Sequence, residues 1–346
     1  MVRTLPLCVL ALATACTAVP SRPPELPPVE LLSLDIGEES PDLGPLISRD
    51  QAFGVDDDMR EFVATSISGT TDPETKLERL MLGMKEQHGP FTFEYESERT
   101  RTAQMTFHDQ RGNCLSYTML FIALAREAGL RAAYQIVAVP PTWSSTSGVV
   151  VVNTHINARI MLPRGSSYEV DFGTMSTRDR YSTRRVSDDH ALALFYNNLG
   201  AEALLRKEYA LSYRYLKAAI EVDSAAADFW TNLGVLLARL GRLEHAEAAY
   251  LQALAVNPND PSALANLVTV QLTLGNAELA ETYRASIRRY QQRNPYYHYA
   301  AAENAYREQR YRDALTAINQ ALRLKRDDDE FHALQARVRD ELNAAR

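Results

Sequence analysis

Residues 111–137, RGNCLSYTMLFIALAREAGLRAAYQIV, decide the fold of the first half of the chain. After Gly112-Asn113, Leu115, Met119, Ile122 and Ala123 recur on one face of a 3.6-residue helix. Leu120, Phe121 and Leu124 widen that face until almost the whole circumference is apolar, with Arg126 the first charge. Such a helix must be buried, and Gly129 supplies its end. The pattern then changes to β-rich runs over residues 132–139, 149–162 and 168–172, separated by Pro/Ser/Gly-bearing loops at 140–148 and 163–167. A buried helix followed by an antiparallel sheet predicts an α+β domain. Upstream, residues 59–67 and 77–84 show helical periodicity, the second opened by Asp72-Pro73, a cap with proline at the first helical position.

Chemistry gathers on this frame. Cys114 stands at the start of the central helix, where unpaired backbone N–H groups and the helix dipole favour negative charge. A thiol attacks as thiolate, a form favoured further by an adjacent imidazolium, and the Cys114 N–H is placed to donate to an oxyanion. Of seven histidines, His155 lies inside a β-run, VVVVNTHINARIML, and Asp171 follows sixteen residues later in YEVDFG. Pairing of those strands across residues 163–167 would turn both side chains the same way. Gln104, Gln110 and Asn113 are the candidates for a second oxyanion donor. Singly, Cys114 also reads as a small buried hydrophobe, His155 as a hydrogen-bonded sheet histidine and Asp171 as a strand-end carboxylate. Their joint spacing favours the catalytic constellation. No acidic run has calcium-loop spacing, so neither metal nor cofactor is expected.

From residue 189 the strand signals stop and a 34-residue period begins. Trp230, Leu233, Gly234, Leu237, Ala246, Tyr250 and Ala253 find counterparts one period earlier at Tyr196, Leu199, Gly200, Ala203, Ser212, Leu216 and Ala219. They recur later at Leu264, Leu267, Val268, Gln271, Ala280, Arg284 and Ile287, and again at His298, Ala301, Ala302, Ala305, Ala314, Ile318 and Ala321. This matches the tetratricopeptide repeat, an all-α solenoid of helix pairs, with Arg284 the poorest fit. The chain thus divides into a leader (1–15), a Pro-rich tether (16–48), an α+β domain (49–188), four repeats (189–328) and a capping helix (329–346).

The leader carries Arg3, an apolar run at residues 5–13 and Ala13-Thr14-Ala15-Cys16. The run is too short to span a bilayer and has the proportions of a secretory segment. The last four residues resemble a bacterial lipoprotein cleavage box in which Cys16 becomes the acylated N-terminus. Export to the envelope, lipid anchoring and, from Thr17 after the cysteine, outer-membrane sorting are the expectations. Seven prolines between residues 17 and 45 suit an extended tether. With Cys8 removed and Cys16 acylated, Cys114 of the three cysteines is the remaining thiol. The formal charge of -7 argues against binding a nucleic-acid backbone, and the basic stretches at 178–185 and 284–293 read as solvated faces.

The segments RGNCLSYTMLFIALAREAGLRAAYQIV, NTHINARIML and EVDFG together resemble the papain-related transglutaminase-like superfamily, in the bacterial branch that joins this domain to tetratricopeptide repeats. The resemblance implies Cys114 as nucleophile, His155 as general base and then acid, and Asp171 as the group that fixes the imidazole. Leu115 departs from the aromatic residue that often follows the nucleophile in animal members. Two functions compete. One is an envelope cysteine hydrolase or acyl transferase working through a thioester, with its repeats recruiting a protein or peptide. The other is an inactive lipoprotein scaffold whose repeats bind partners. The sequence does not set the oligomeric state.

Overall fold

The computed structural model describes residues 26–36, 44–86, 94–137, 144–146, 149–151, 155–172 and 183–344. The leader, Cys8 and Cys16 lie outside the described residues. The chain has an α+β domain followed by a helical solenoid. Helices α1 (Pro28–Leu31), α2 (Arg49–Phe53), α3 (Asp57–Ser66) and α4 (Pro73–Glu86) come first. Helix α3 starts where the Asp56 carboxylate accepts the Met59 N–H at 2.9 Å, and α4 where Asp72 accepts that of Thr75 at 2.8 Å. Strands β1 (Glu94–Tyr95) and β2 (Arg111–Gly112) pair in parallel around α5 (Ala103–Asp109), which the sequence pattern did not reveal.

Helix α6 (Cys114–Glu127) is the expected central helix, with every side chain from Leu115 to Ala125 buried. It packs on a sheet of β3 (Arg131–Val137), β6 (His155–Met161), β7 (Ser167–Val170) and β8 (Thr183–Val186), all antiparallel in the order β7-β6-β3-β8. One expectation about the sheet needs correction. The run at 149–162 is not one strand: β5 (Val149–Val151) turns aside to pair with β4 (Ser144–Thr146), and β6 starts afresh at His155. Strand β8 falls in the basic stretch read as a solvated face. Its Arg184 and Arg185 are exposed, and the strand forms by backbone pairing with β3 along the sheet edge.

The solenoid pairs α7 (Asp188–Leu205) with α8 (Tyr209–Val222), α9 (Ala227–Arg239) with α10 (Leu243–Val256), α11 (Pro261–Thr273) with α12 (Ala277–Arg293) and α13 (Pro295–Arg307) with α14 (Tyr311–Leu324). Helix α15 (Asp329–Ala344) packs on the last pair. The period has a steric cause. A Cβ on Gly200 would stand 2.7 Å from Leu216 Cγ, and one on Gly234 2.5 Å from Tyr250 Cε1, so glycine lets each helix receive its partner's large side chain. In the third repeat these positions hold Val268 and Arg284. The arginine turns outward to Glu281, and Tyr283, one residue earlier, fills the core instead. The apolar core divides after this repeat: one cluster runs from the α+β domain through α12, and a second joins α13 to α15.

Part of the stretch expected to be an extended tether is folded onto the solenoid. Leu31 is fully buried, and the Tyr213 hydroxyl on α8 donates to the Leu31 carbonyl at 2.9 Å and accepts the Leu34 N–H at 3.0 Å. Arg242 donates to the Asp35 carbonyl at 2.6 Å. Among the described residues no helix is long and apolar enough to cross a membrane.

Candidate active site

Cys114 is the first residue of α6, half-buried, with Asn113 as N-cap in extended backbone. The Asn113 carboxamide oxygen accepts the Ser116 N–H at 2.9 Å and the Ser116 hydroxyl at 3.0 Å, and its Nδ2 donates to the Thr100 hydroxyl at 2.8 Å. The Ser116 hydroxyl accepts the Arg101 N–H at 2.9 Å, so the loop before α5 is tied to the first turn of α6. Gly112 is required here: a Cβ would lie 2.8 Å from Ser116 Cβ. Each residue of the run Gly-Asn-Cys-Leu-Ser therefore has a place, the glycine for space, the asparagine and serine for the cap, and Leu115 for the core.

His155 opens β6 and is 9% exposed. The Thr118 hydroxyl, one turn below Cys114, donates to the Ile156 carbonyl at 3.3 Å and brings the head of that strand to the thiol face of the helix. Asp171 follows the end of β7, held there by the next residue: the Phe172 ring packs on Tyr117 and on Phe121, each at 5.7 Å between centroids. His155 Nε2 meets both Asp171 oxygens, at 2.9 and 2.7 Å, and Cys114 lies beside the imidazole, close enough to contribute to its charge balance. A carboxylate only accepts, so Nε2 carries the proton and Nδ1 is left to the thiol. Burial favours the neutral ring, but the hydrogen bonds and charge of Asp171, with the neighbouring Cys114, outweigh it and hold His155 at about 9.

His108 with Asp56 (2.8 Å) and His190 with Asp223 (2.6 Å) are His–Asp pairs too. Among the described residues Cys114 is the free cysteine, and it lies with His155. The oxyanion candidates are placed differently. Asn113 is the helix cap. Gln104 lies on α5 near Gly54, its Nε2 3.5 Å from where a Cβ there would stand. Gln110 ends α5 in left-handed backbone, with its carbonyl taking the Tyr117 hydroxyl at 2.8 Å. The residue that does reach the thiol was missed from sequence. Tyr95, beside Gly112 in the β1–β2 register, lies close enough to Cys114 for the two side chains to interact electrostatically. Burial, then the neighbouring Cys114, pushes the Tyr95 phenol up. A two-residue strand with no apolar alternation gave no signal for it. Among the described residues no group of three or more metal-ligating side chains is assembled.

The profile of the transglutaminase-like superfamily matches residues 60–172, which span the three groups just described. The chain contains a transglutaminase-like domain. The tetratricopeptide repeat profile matches residues 227–260, the second helix pair. Solved structures similar to the chain include one described as the functional characterization of Pseudomonas aeruginosa pilF, at 19% identity over 46% of this chain and 72% of that one, with a TM-score of 0.29. Two others are MamA from Desulfovibrio magneticus RS-1 (20% identity, 44% and 89% covered, TM-score 0.27) and the Arabidopsis OM64 tetratricopeptide domain (15%, 44% and 98%, 0.24). No curated protein matches the chain. The transglutaminase-like domain is thus joined to repeats of a type that supports protein–protein interaction.

Proposed function

We propose that this chain is an envelope lipoprotein whose transglutaminase-like domain is a cysteine hydrolase or acyl transferase acting on amide bonds of a protein or peptide held by the repeats. The observation that carries the catalytic reading is the contact of His155 with Cys114 on one side and Asp171 on the other. For attack the Cys114 thiol proton passes to His155 as the sulfur bonds to the substrate carbonyl carbon. The carbonyl oxygen becomes an oxyanion, with the Cys114 N–H as donor. His155 then gives its Nδ1 proton to the leaving nitrogen as the C–N bond breaks, which leaves a thioester on Cys114. Water attacks the thioester with its proton passing to His155 and releases a carboxylic acid. An amine in place of water forms a new amide and a crosslinked product. Asp171 holds the Nε2–H tautomer throughout and stabilises the imidazolium. The lipid anchor at Cys16 and the envelope location rest on the leader sequence.

The test compares envelope fractions from cells carrying the wild-type chain, Cys114→Ala and His155→Ala by mass spectrometry of protein termini and crosslinked peptides. New termini or crosslinks present with wild type and absent with both variants are expected. Identical profiles from all three, with folded protein, would leave the scaffold reading in possession.

A further inference from the structure

We propose that Glu202, on the first helix of the solenoid, is a positioning residue for Cys114, acting through Thr100 and Asn113. The inference rests on the catalytic reading above and adds a part of the site that lies outside the residues matched to the transglutaminase-like profile.

Glu202 stands on α7 and its Oε1 accepts the backbone N–H of Thr100 at 2.6 Å. The Thr100 hydroxyl accepts Asn113 Nδ2 at 2.8 Å, and Asn113 Oδ1 closes the first turn of α6 on the Ser116 N–H at 2.9 Å. The peptide between Asn113 and Cys114 carries the N–H assigned above as the oxyanion donor. Its plane is set by the backbone angles of Asn113, whose side chain is held at both ends by this chain of bonds. Thr100 and Asn113 are 5% and 6% exposed, so water does not readily replace a lost partner. Glu202 is itself half-buried, with Arg206 and Arg99 as the charges facing it.

The other end of the same two helices is also fixed. Arg126, in the last turn of α6, makes two bonds to Asp188 in the first turn of α7, at 2.7 and 2.8 Å. From Asn113 to Arg126 the catalytic helix rises roughly 20 Å, and from Asp188 to Glu202 the solenoid helix rises roughly 21 Å. The two helices therefore run antiparallel with equal spans between their ties, and the first helix of the repeats is a strut for the helix that bears the thiol. A single apolar cluster includes both. The solenoid then has two tasks, recruitment along its surface and alignment of the nucleophile.

The test measures the rate of alkylation of Cys114 in the folded full-length protein by iodoacetamide, between pH 5 and 10, for wild type, Glu202→Ala, Glu202→Asp, Glu202→Gln and His155→Ala. Loss of a bond from a charged acceptor should slow alkylation by about tenfold in Glu202→Ala. Glu202→Asp, which keeps the charge and withdraws the acceptor, should also be slowed, and it covers the case in which the alanine variant fails to fold. Glu202→Gln keeps an oxygen at the same reach and should return to within about twofold of wild type. A merely structural role would lower the melting temperature of the alanine variant and leave the rate and pH profile of its folded fraction unchanged. Wild-type rates in Glu202→Ala or Glu202→Asp, or a Gln variant as slow as Ala, overturn the proposal. His155→Ala separates the two readings: if it slows alkylation while the Glu202 variants do not, only the positioning role fails. If it changes nothing, the catalytic reading fails and takes this one with it.

Discussion

Replacement of Asp171 by asparagine tests the electrostatic centre of the site. The pair contact is short, at 2.7 Å, and His155 is raised from 6.5 to about 9. That difference corresponds to about 3 kcal/mol of preference for the imidazolium over the neutral ring. Asp171 is the larger of the two favourable partners, ahead of Cys114, so its removal should take about 2 kcal/mol and lower the titration by about 1.5 pH units. The assay is an NMR titration of the 13Cε1 histidine signals, with His155 assigned by its loss in His155→Asn. The stability consequence has a definite sign. A histidine whose folded value is raised stabilises the fold fully below about 6.5, while Asp171 remains ionised, and this contribution is lost as pH rises through about 9. The melting temperature of wild type should thus exceed that of Asp171→Asn most near pH 6, with the gap narrowing towards pH 10. An Asp171→Asn protein in which His155 still titrates near 9, or a melting gap that is flat between pH 6 and 10, would refute the assignment.

Three further outcomes are expected. Gly112→Ala should destabilise the domain by about 1–3 kcal/mol, because the new Cβ meets Ser116 Cβ at 2.8 Å and Ser116 is held by Asn113 and Arg101; thermal melts with and without the substitution check it. Tyr213→Phe removes the hydroxyl that bonds both Leu31 and Leu34, and should raise the rate of proteolytic cleavage within residues 26–36 before the rest of the chain is cut. Tyr95→Ala uncovers the Cys114 thiol, so iodoacetamide should label Cys114 faster than in wild type; equal rates would show that the phenol does not shield the thiol.

How far the sequence carried depended on whether a signal was local. The apolar circumference of α6, the 34-residue period and the types and order of Cys114, His155 and Asp171 are properties of short stretches. They sufficed for the α+β class and the solenoid, and they named three residues that the fold then brings to one place. The oxyanion candidates were chosen by residue type near the thiol, and Asn113 shows the weakness of that criterion: its amide is used by the helix cap. Tyr95 gave no signal because its approach to Cys114 depends on a two-residue parallel pairing across an intervening helix. Strand β8 was missed because an exposed edge strand is specified by its neighbour's open backbone groups and needs no alternation of its own.

The sequence by itself determined the central helix, the helix pairs of the repeats and the order of the candidate residues, since helix periodicity, caps and repeat spacing are written in neighbouring residues. Only the tertiary structure decided the company each group keeps. It gave His155 both Asp171 and Cys114, folded residues 26–36 onto the repeats, and set Glu202 against the loop that braces Asn113. Those choices join residues from 16 to 207 positions apart. Such partners are selected by packing and by the cost of burying an unpaired polar group, and neither of these is visible until the chain has closed on itself.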